Sequence, residues 1–419
     1  MKHYLYVLVA LLFLGCSGKT PTATNTEEVS NIIDISSGLK NIQAIKLSEI
    51  ADSVTFIPFE TNQQSLHGQG QSTLIDFSPL YIFYWDKCYD WTGKYLCTIG
   101  KRGQGTFEEP MGIHYLVFSD NHFYTKGMKI IEYDITGKPT GKLTTFNSES
   151  NNFLQSNSSN VFSISGNNFI NFHYPTDVYF INKNLEIESS RKVIDFFNEG
   201  DRSTSYLKNR KFITGYKDNS LFYNFINDTI FYIKNTDLEP KWIVNFDDPS
   251  RLSPEIVLKF GKILHSSLTP YIQGQIAIEN TDLVKLTDNK HFVSSVYETE
   301  SFLFFQMKEI INLAEQRGKE PTEPYIVLFD KRTGNTMRIK GNGFVDDILG
   351  MDIFYPILGV YDEKLITYIW PFELLKYIDE CREKGKEVSP QLLALSKKVD
   401  AEDNPILILA HLKSNYEFI

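Results

Sequence analysis

The chain has 419 residues, of which 42% are hydrophobic and 14% aromatic, with 31 Phe and 23 Tyr. Such a chain can bury a large core, and its aromatic content favours β-strands. The net charge is −10 at pH 7, and Lys and Arg form no basic stripe. Because nucleic acids are bound by clustered basic residues, this composition argues against a nucleic-acid partner.

The first 16 residues have the features of an export signal. Lys2 and His3 precede an apolar run over residues 4–14, which is too short to span a bilayer but suits a signal peptide. The run ends Phe13-Leu14-Gly15-Cys16, which resembles a bacterial lipobox, where a small residue before Cys allows lipidation and cleavage. We predict a lipoprotein signal peptide over 1–16 with lipid on Cys16, which would attach the protein to a membrane. The alternative is an ordinary cleaved signal with an incidental cysteine.

Residues 17–30 are mainly small and polar, so this stretch cannot bury enough apolar surface to fold alone. We predict a flexible tether over 17–41 and a folded domain over 42–419.

A short sequence repeats within that domain. Tyr89-Asp90-Trp91-Thr92-Gly93-Lys94 returns 44 residues later as Tyr133-Asp134-Ile135-Thr136-Gly137-Lys138. In each copy the Asp side chain can accept backbone hydrogen bonds, and the Gly can take the positive φ that closes a hairpin. A strand-and-turn unit at this period is typical of the blades of a β-propeller.

Strand patterns predict six blades. Outer hairpins are expected at 87–99, 130–146, 178–193, 229–246 and 327–339. The last strand candidate, 406–413, has no partner after it, and an N-terminal strand at 54–60 can supply one. The predicted fold class is therefore all-β, a six-bladed β-propeller whose N-terminal strand closes the last blade. Helical insertions are expected only in the second half, at 253–266, 308–317, 371–384 and 389–398.

Three cysteines follow Cys16, namely Cys88, Cys97 and Cys381. A two-residue turn between Cys88 and Cys97 would place them opposite each other, where an oxidising compartment permits a disulfide. The Asp-x-x-Gly pattern instead favours a type I turn with a glycine bulge, which shifts the register and turns the two side chains to opposite faces. We therefore favour free, packed thiols.

Four segments together resemble a known family: residues 46–61, 93–105, 227–230 and 402–405. They include Phe56-Ile57-Pro58-Phe59-Glu60-Thr61, Gly100-Lys101-Arg102-Gly103-Gln104-Gly105 and Glu402-Asp403-Asn404-Pro405. They are similar to the six-bladed β-propeller lipoproteins of Bacteroides-type bacteria, which are related in fold to NHL-repeat and TolB-like propellers. The resemblance implies an outer-membrane lipoprotein on the periplasmic or cell-surface side, and it implies no catalytic residues.

The topology of a propeller predicts where a ligand would bind. Connections between blades, and those from the second to the third strand of a blade, emerge on one face. The long connections of this chain all belong to those two kinds, so we expect binding on that face. The residues predicted around its axial mouth are Arg102, Gln104, His114, His291, Asp346 and Asp347.

No motif specifies a reaction. The histidines lack metal-ligand spacing, no nucleophile motif appears, and the loop at 100–105 lacks the Lys-Ser or Lys-Thr pair of a phosphate loop. We predict no metal and no cofactor. The favoured function is a binding or scaffolding module for a glycan, a peptide or a partner protein, and the alternative is a hydrolase or lyase with its site in the axial funnel.

Overall fold

The computed structural model describes residues 31–67, 75–109, 115–119, 121–126, 129–145, 162–165, 168–173, 177–192, 213–217, 219–234, 236–256, 288–310 and 322–415. Strands predominate. They form two five-stranded sheets, four four-stranded sheets and one two-stranded sheet within these residues.

Five of the larger sheets, which we number 1 to 5, each contain four consecutive strands of the chain in antiparallel order. Sheet 1 holds β4 (Ile75–Phe77), β5 (Ile82–Tyr84), β6 (Lys87–Tyr89) and β7 (Tyr95–Thr98). Sheet 2 holds β8 (Tyr115–Ser119), β9 (His122–Lys126), β10 (Lys129–Tyr133) and β11 (Pro139–Thr145). Sheet 3 holds β12 (Phe162–Ser165), β13 (Asn168–His173), β14 (Asp177–Ile181) and β15 (Ile187–Lys192).

Sheet 4 holds β16 (Ile213–Tyr216), β17 (Asn219–Asn224), β18 (Thr229–Lys234) and β19 (Asp237–Asn245), with β1 (Ile32–Asp34) added outside β19. Sheet 5 holds β20 (His291–Glu298), β21 (Phe302–Ile310), β22 (Thr322–Asp330) and β23 (Thr336–Ile339), with β2 (Ile42–Gln43) added outside β23. Sheet 6 is composite, and contains β26 (Gly359–Tyr361), β27 (Lys364–Ile369), β28 (Ile406–Leu412) and β3 (Ala51–Pro58). A small pair, β24 (Phe344–Val345) and β25 (Ile353–Phe354), precedes it.

The sheets form a propeller-like ring. The first strand of each sheet contacts that of the next, from β4 and β8 through β12, β16 and β20 to β26. An apolar cluster that includes Phe59, Tyr84 and Leu407 joins sheet 6 to sheet 1. The all-β class and the ring of sheets are therefore confirmed. The predicted count of six blades is not, because five sheets each contain four consecutive strands of the chain and sheet 6 is composite.

The predicted closing strand is also confirmed. β3 pairs antiparallel with β28, in a register that runs from Ile406 opposite Pro58 to Leu412 opposite Ala51. The Asn404 side chain secures the joint, because its Nδ2 donates to the carbonyl oxygens of Glu60 at 3.0 Å and Ser65 at 2.9 Å. Two chain segments far apart in sequence thus form one sheet.

The tether predicted to extend to residue 41 is wrong for residues 32–41. β1 pairs in parallel with β19, and β2 pairs in parallel with β23. Helix α1 (Ile35–Lys40) lies between them, and the Asp34 carboxylate caps it by accepting from the Ser37 amide at 3.0 Å. β1 and β2 thus cover the open edges of two sheets, and Ile33 and Ile35 are fully buried. We call residues 31–58 the N-terminal belt.

The helical predictions are confirmed in part. Helices α3 (Pro371–Glu383) and α4 (Pro390–Ser396) match the predicted segments, and Ser389 caps α4. Helix α1 and the short α2 (Leu47–Ile50) contradict the restriction of helices to the second half.

The helix predicted at 308–317 is wrong at its start, because residues 308–310 complete β21 and pair with β22. The rest of it lies outside the described residues. Of the helix predicted at 253–266, residues 254–256 are helical and those from 257 onward lie outside the described residues. No described helix has the length and apolar content needed to cross a membrane.

The turn between β6 and β7 forms as predicted. The prediction that Cys88 and Cys97 point to opposite faces of the sheet is wrong. Asp90 Oδ1 accepts from the amides of Thr92 and Lys94, and Gly93 has φ +86°. The bulge leaves Leu96 unpaired between Tyr95, which opposes Tyr89, and Cys97, which opposes Cys88. The extra residue thereby cancels the shift made by the turn, and the two cysteines face each other.

The turn glycines also set the spacing between sheets. A Cβ on Gly93 would lie 2.1 Å from the carbonyl oxygen of Pro58, and one on Gly137 would lie 2.2 Å from that of Thr98. Each turn therefore rests on the outer strand of the preceding sheet. The backbone of Gly93 also accepts a hydrogen bond from the Glu60 amide at 2.8 Å.

We predict that Gly93→Ala lowers the free energy of unfolding more than Gly334→Ala does. Both glycines have positive φ, at +86° and +72°, which costs a side chain roughly 1–2 kcal/mol. Only Gly93 adds a steric clash, worth about 1–3 kcal/mol more, because Gly334 has no neighbouring atom within 4 Å of the added Cβ. Urea unfolding of the two variants measures the difference, and equal losses would contradict the close approach of sheets 1 and 6.

Candidate functional site

The antiparallel order of each sheet assigns the connections to two faces. One face, the long-connection face, carries the segments between sheets and those from second to third strands, including residues 59–67, 99–109, 340–358 and 370–405. The other, the short-turn face, carries hairpin turns such as 90–94 and 331–335. The described long connections thus lie together, as the sequence predicts.

A pocket of about 320 Å³ opens on the long-connection face beside sheet 6. Its walls come from the connection between sheets 5 and 6, the end of β27 and the start of α3. The lining residues are Asp346, Leu349, Met351, Ile353, Phe354, Tyr355, Ile357, Thr367, Tyr368, Ile369, Trp370, Glu373 and Ile408. Its size suits a small ligand or a single protruding group of a larger one.

Hydrogen bonds hold the connection that forms the pocket wall. Tyr377 on α3 donates its hydroxyl to the carbonyl oxygen of Gly350 at 2.7 Å. On the other side, the buried Gln306 side chain of β21 donates to the carbonyl oxygen of Pro356 at 2.6 Å. The wall is thus fixed at both ends, so the pocket exists before a ligand binds.

The character of the pocket is aromatic and apolar. Tyr355 and Tyr368 are half-buried, and burial raises the pKa of Tyr355, so its hydroxyl stays protonated. At the rim, Ile353 and Ile357 are each 49% exposed. Aromatic rings with polar tips bind ligands that combine an apolar surface with hydrogen-bonding groups.

The two carboxylates of the pocket are occupied by the backbone. Asp346 Oδ1 accepts from the amides of Ile348 at 3.2 Å and Leu349 at 2.8 Å, while burial raises the pKa of this carboxyl. Glu373 Oε2 accepts from the Trp370 amide at 3.1 Å at the start of α3. Both groups therefore stabilise the walls.

Asp347, the neighbour of Asp346, has an anchoring role. Its carboxylate accepts from the amide and the hydroxyl of Ser48, at 3.0 Å and 2.5 Å, and so joins the pocket connection to α2. Burial acts to raise the pKa of Asp347, but the Ser48 hydrogen bonds outweigh it and leave the pKa below its ordinary value.

His291 belongs to a row of four polar side chains, one from each of β20 to β23. The Tyr325 hydroxyl lies 3.0 Å from His291 Nδ1, and Glu309 Oε2 lies 3.9 Å from the same nitrogen. Arg338 approaches Glu309 to 3.7 Å and covers the Tyr325 ring at 4.0 Å. Because His291 is only 9% exposed, this row acts within sheet 5.

The remaining predicted residues do not join this region. Arg102 forms a backbone bridge with Glu109, and both Arg102 and Gln104 are exposed on the connection between sheets 1 and 2. His114 lies outside the described residues. Of the five predicted residues that the structure describes, Asp346 is the one that lines the pocket.

A second cavity, of about 280 Å³, lies on the short-turn face between Glu300, Ser301, Lys331, Arg332, Ser414 and Asn415. Lys331 there is bound to the buried Glu298, which also accepts from the Tyr232 hydroxyl at 2.8 Å. This arrangement joins sheets 4 and 5, and the charge of Lys331 is paired with that of Glu298. We therefore take the aromatic pocket as the candidate site.

The sequence analysis missed the aromatic residues of that pocket. Tyr368 and Trp370 follow one another closely at the end of a predicted second strand, directly before the Pro371 that starts a predicted helix. Their position on the long-connection face could have identified these two residues as pocket residues from the sequence. Tyr355, in an irregular connection, had no comparable pattern.

Comparison with known proteins places the chain by family and fold. The family described as "Domain of unknown function (DUF4934)" matches residues 30–411. No curated protein matches the chain significantly. A crystal structure of a protein assigned as exported, from Bacteroides fragilis, resembles it with a TM-score of 0.59 and 16% identity, over 91% of this chain and 100% of that one. BamB from Moraxella catarrhalis aligns with a TM-score of 0.28 and 11% identity, over 68% and 75% of the two chains, and carries no argument.

We predict that His291 makes stability fall as the pH drops below about 6.5. Burial, together with Arg338, lowers the pKa of His291 despite the opposing charge of Glu309. The unfolded chain takes up this proton near pH 6.5, but the folded chain does so only at lower pH, so the contribution is complete above pH 6.5 and is lost below it. Urea unfolding at pH 7.5, 6.5 and 5.5 should show a shallower pH dependence for His291→Gln than for the unmodified chain. An NMR titration with the folded pKa at or above 6.5 would refute the assignment.

Proposed function

We propose that this chain, which belongs to the family described as a domain of unknown function, DUF4934, is an exported binding protein and not an enzyme. Its ligand is a glycan, a peptide or a group on a partner protein that enters the pocket beside sheet 6. The observation that carries this proposal is the pre-formed aromatic pocket between the 340–358 connection and α3.

The pocket chemistry favours binding over catalysis. General acid–base catalysis needs a titratable group within reach of the substrate. Asp346 and Glu373 instead accept hydrogen bonds from backbone amides of their own walls. Among the described residues, no group of three or more His, Cys, Asp or Glu side chains is arranged to hold a metal ion. A hydrolase or lyase site in the axial funnel has no comparable support.

The proposal includes a propeller-like ring of sheets as the scaffold. The support is the six sheets of four or five strands, whose first strands contact one another in sequence. Sheet 6 is then the blade closed by the N-terminal strand. In such a scaffold the pocket lies on a rigid face, which suits recognition of one ligand.

The proposal also includes lipidation and attachment to the outer membrane, on the periplasmic or cell-surface side. The support is the Leu14-Gly15-Cys16 sequence after an apolar run, together with the assignment of the Bacteroides fragilis protein as exported. A tether over residues 17–30 would separate the ring from the lipid.

A binding screen tests the pocket. The chain lacking its signal should be tested against glycan and peptide arrays, and the ligand found should then be measured with Ile357→Asp. This change places a charge on the pocket rim, so we expect binding to weaken about tenfold or more. The matched control is Leu80→Asp, since Leu80 is 56% exposed and lies in the turn after β4 on the short-turn face. Equal affinity of the two variants would place the ligand elsewhere.

Lipidation is tested separately. We expect Cys16→Ser to leave an uncleaved precursor that takes up no labelled fatty acid, because the lipobox reaction requires the cysteine thiol. Cys381→Ser should be processed and labelled normally. A mature chain that begins at another residue and carries no lipid would rule the attachment out.

A further inference from the structure

We propose that Cys88 and Cys97 form a disulfide that links β6 to β7 once the chain reaches an oxidising compartment. The compartment rests on the proposed export, whereas the pairing rests on the geometry of sheet 1 alone.

The two residues are directly opposed across the β6–β7 ladder. Directly opposed residues of an antiparallel pair have Cα atoms about 4.5 to 5.5 Å apart, within the range of about 4.4 to 6.8 Å that disulfides span. The bulge at Leu96 makes this register possible, since without it Cys97 would point to the other side of the sheet.

Both side chains point into the same apolar cluster between sheets 1 and 2. Cys88 is fully buried there with Phe83 and Tyr133, and Cys97 packs against the same cluster while remaining partly exposed. Cys381 lies in a different cluster, with residues of sheet 6 and α3. Of the three cysteines in the described part of the chain, only Cys88 and Cys97 can therefore react with each other.

The two thiols also differ in how readily they ionise. A hydrogen bond with the Cys88 thiol lowers the pKa of Cys97, and the same contact, followed by burial, raises the pKa of Cys88. The more accessible sulfur is thus also the one that ionises more readily. A thiolate with access to solvent is the form that attacks a disulfide.

The chemistry is thiol–disulfide exchange with an external disulfide oxidant. The Cys97 thiolate attacks one sulfur of the oxidant, breaks its S–S bond and releases one thiol. Cys88 then loses its proton and attacks Cys97 Sγ, which releases the second thiol and forms the Cys88–Cys97 bond. The protein loses two electrons and two protons, and the oxidant gains them.

The link would secure the outer edge of sheet 1. In sheets 4 and 5 the belt strands β1 and β2 cover the outermost strand. In sheet 1, β7 is outermost and only four residues long, and no other described strand pairs with it. A covalent bond to β6 replaces the support that a fifth strand gives elsewhere.

Peptide mapping tests the bond. Full-length chain is recovered from the cell envelope, its free thiols are alkylated without reduction, and it is digested with trypsin. Cleavage after Lys87, Lys94 and Lys101 puts Cys88 and Cys97 on separate peptides. We expect the two peptides, 88–94 and 95–101, to appear joined and to separate after reduction. Alkylatable thiols among Cys88, Cys97 and Cys381 should fall from three to one.

A second experiment does not depend on export. It treats purified, reduced chain with glutathione disulfide. The joined peptides should form there too, and they should be lost in Cys97→Ser and kept in Cys381→Ser. If both thiols stay alkylatable in this arm, the proposed bond is overturned wherever the protein resides. If they join in vitro but the cellular protein is reduced and found in the cytosol, the export proposal fails and the pairing stands. Reduced protein in the envelope would overturn the bond as a feature of the exported chain.

Discussion

The antiparallel pairing of β28 with β3 is the constraint on which the ring depends. Each sheet hides its apolar faces only against its neighbours, so an open ring would expose one face at each end. The pairing of residues 51–58 with 406–412 joins those ends, and Asn404 secures the joint by binding the 60–67 connection. Gly93 then lets sheet 1 approach sheet 6 so closely that its backbone binds Glu60. The pocket follows from this closure, since Ile408 of β28 forms part of its wall.

Local patterns predicted most of the fold. Alternating apolar residues and Asp-x-x-Gly turns located the hairpins, because each hairpin is stabilised by residues near in sequence. The unpaired last strand located the closure. The belt strands were missed because Ile32, Ile33 and Ile42 are too few to predict a strand, and pairing with the open edges of β19 and β23 makes these segments strands. The bulge at Leu96, which sets Cys97 opposite Cys88, was also missed.

The candidate site was predictable as a face but not as a set of residues. The topology of alternating strands put the long connections together, and the pocket lies among them. Polar residues such as Asp347 and His291 drew attention because they could bind a ligand or react. In the fold, Asp347 instead accepts a hydrogen bond from Ser48, and His291 lies within hydrogen-bond distance of the Tyr325 hydroxyl. Such residues usually secure irregular connections, whose buried amides need acceptors. The aromatic residues that face the pocket resembled ordinary core residues in the sequence, and only the three-dimensional arrangement distinguishes them.

The N-terminal belt also determines the order in which the molecule can be completed. Residues 32–58 find their partners at residues 243–245, 338–339 and 406–412, which are made progressively later in synthesis. Sheets 1 to 3 can form from neighbouring segments, but β3, near the beginning of the chain, must wait until almost all of it has been made. Contacts so distant in sequence make folding slow. Until residues 406–412 have been made, β3 therefore lacks its partner strand and the ring stays open.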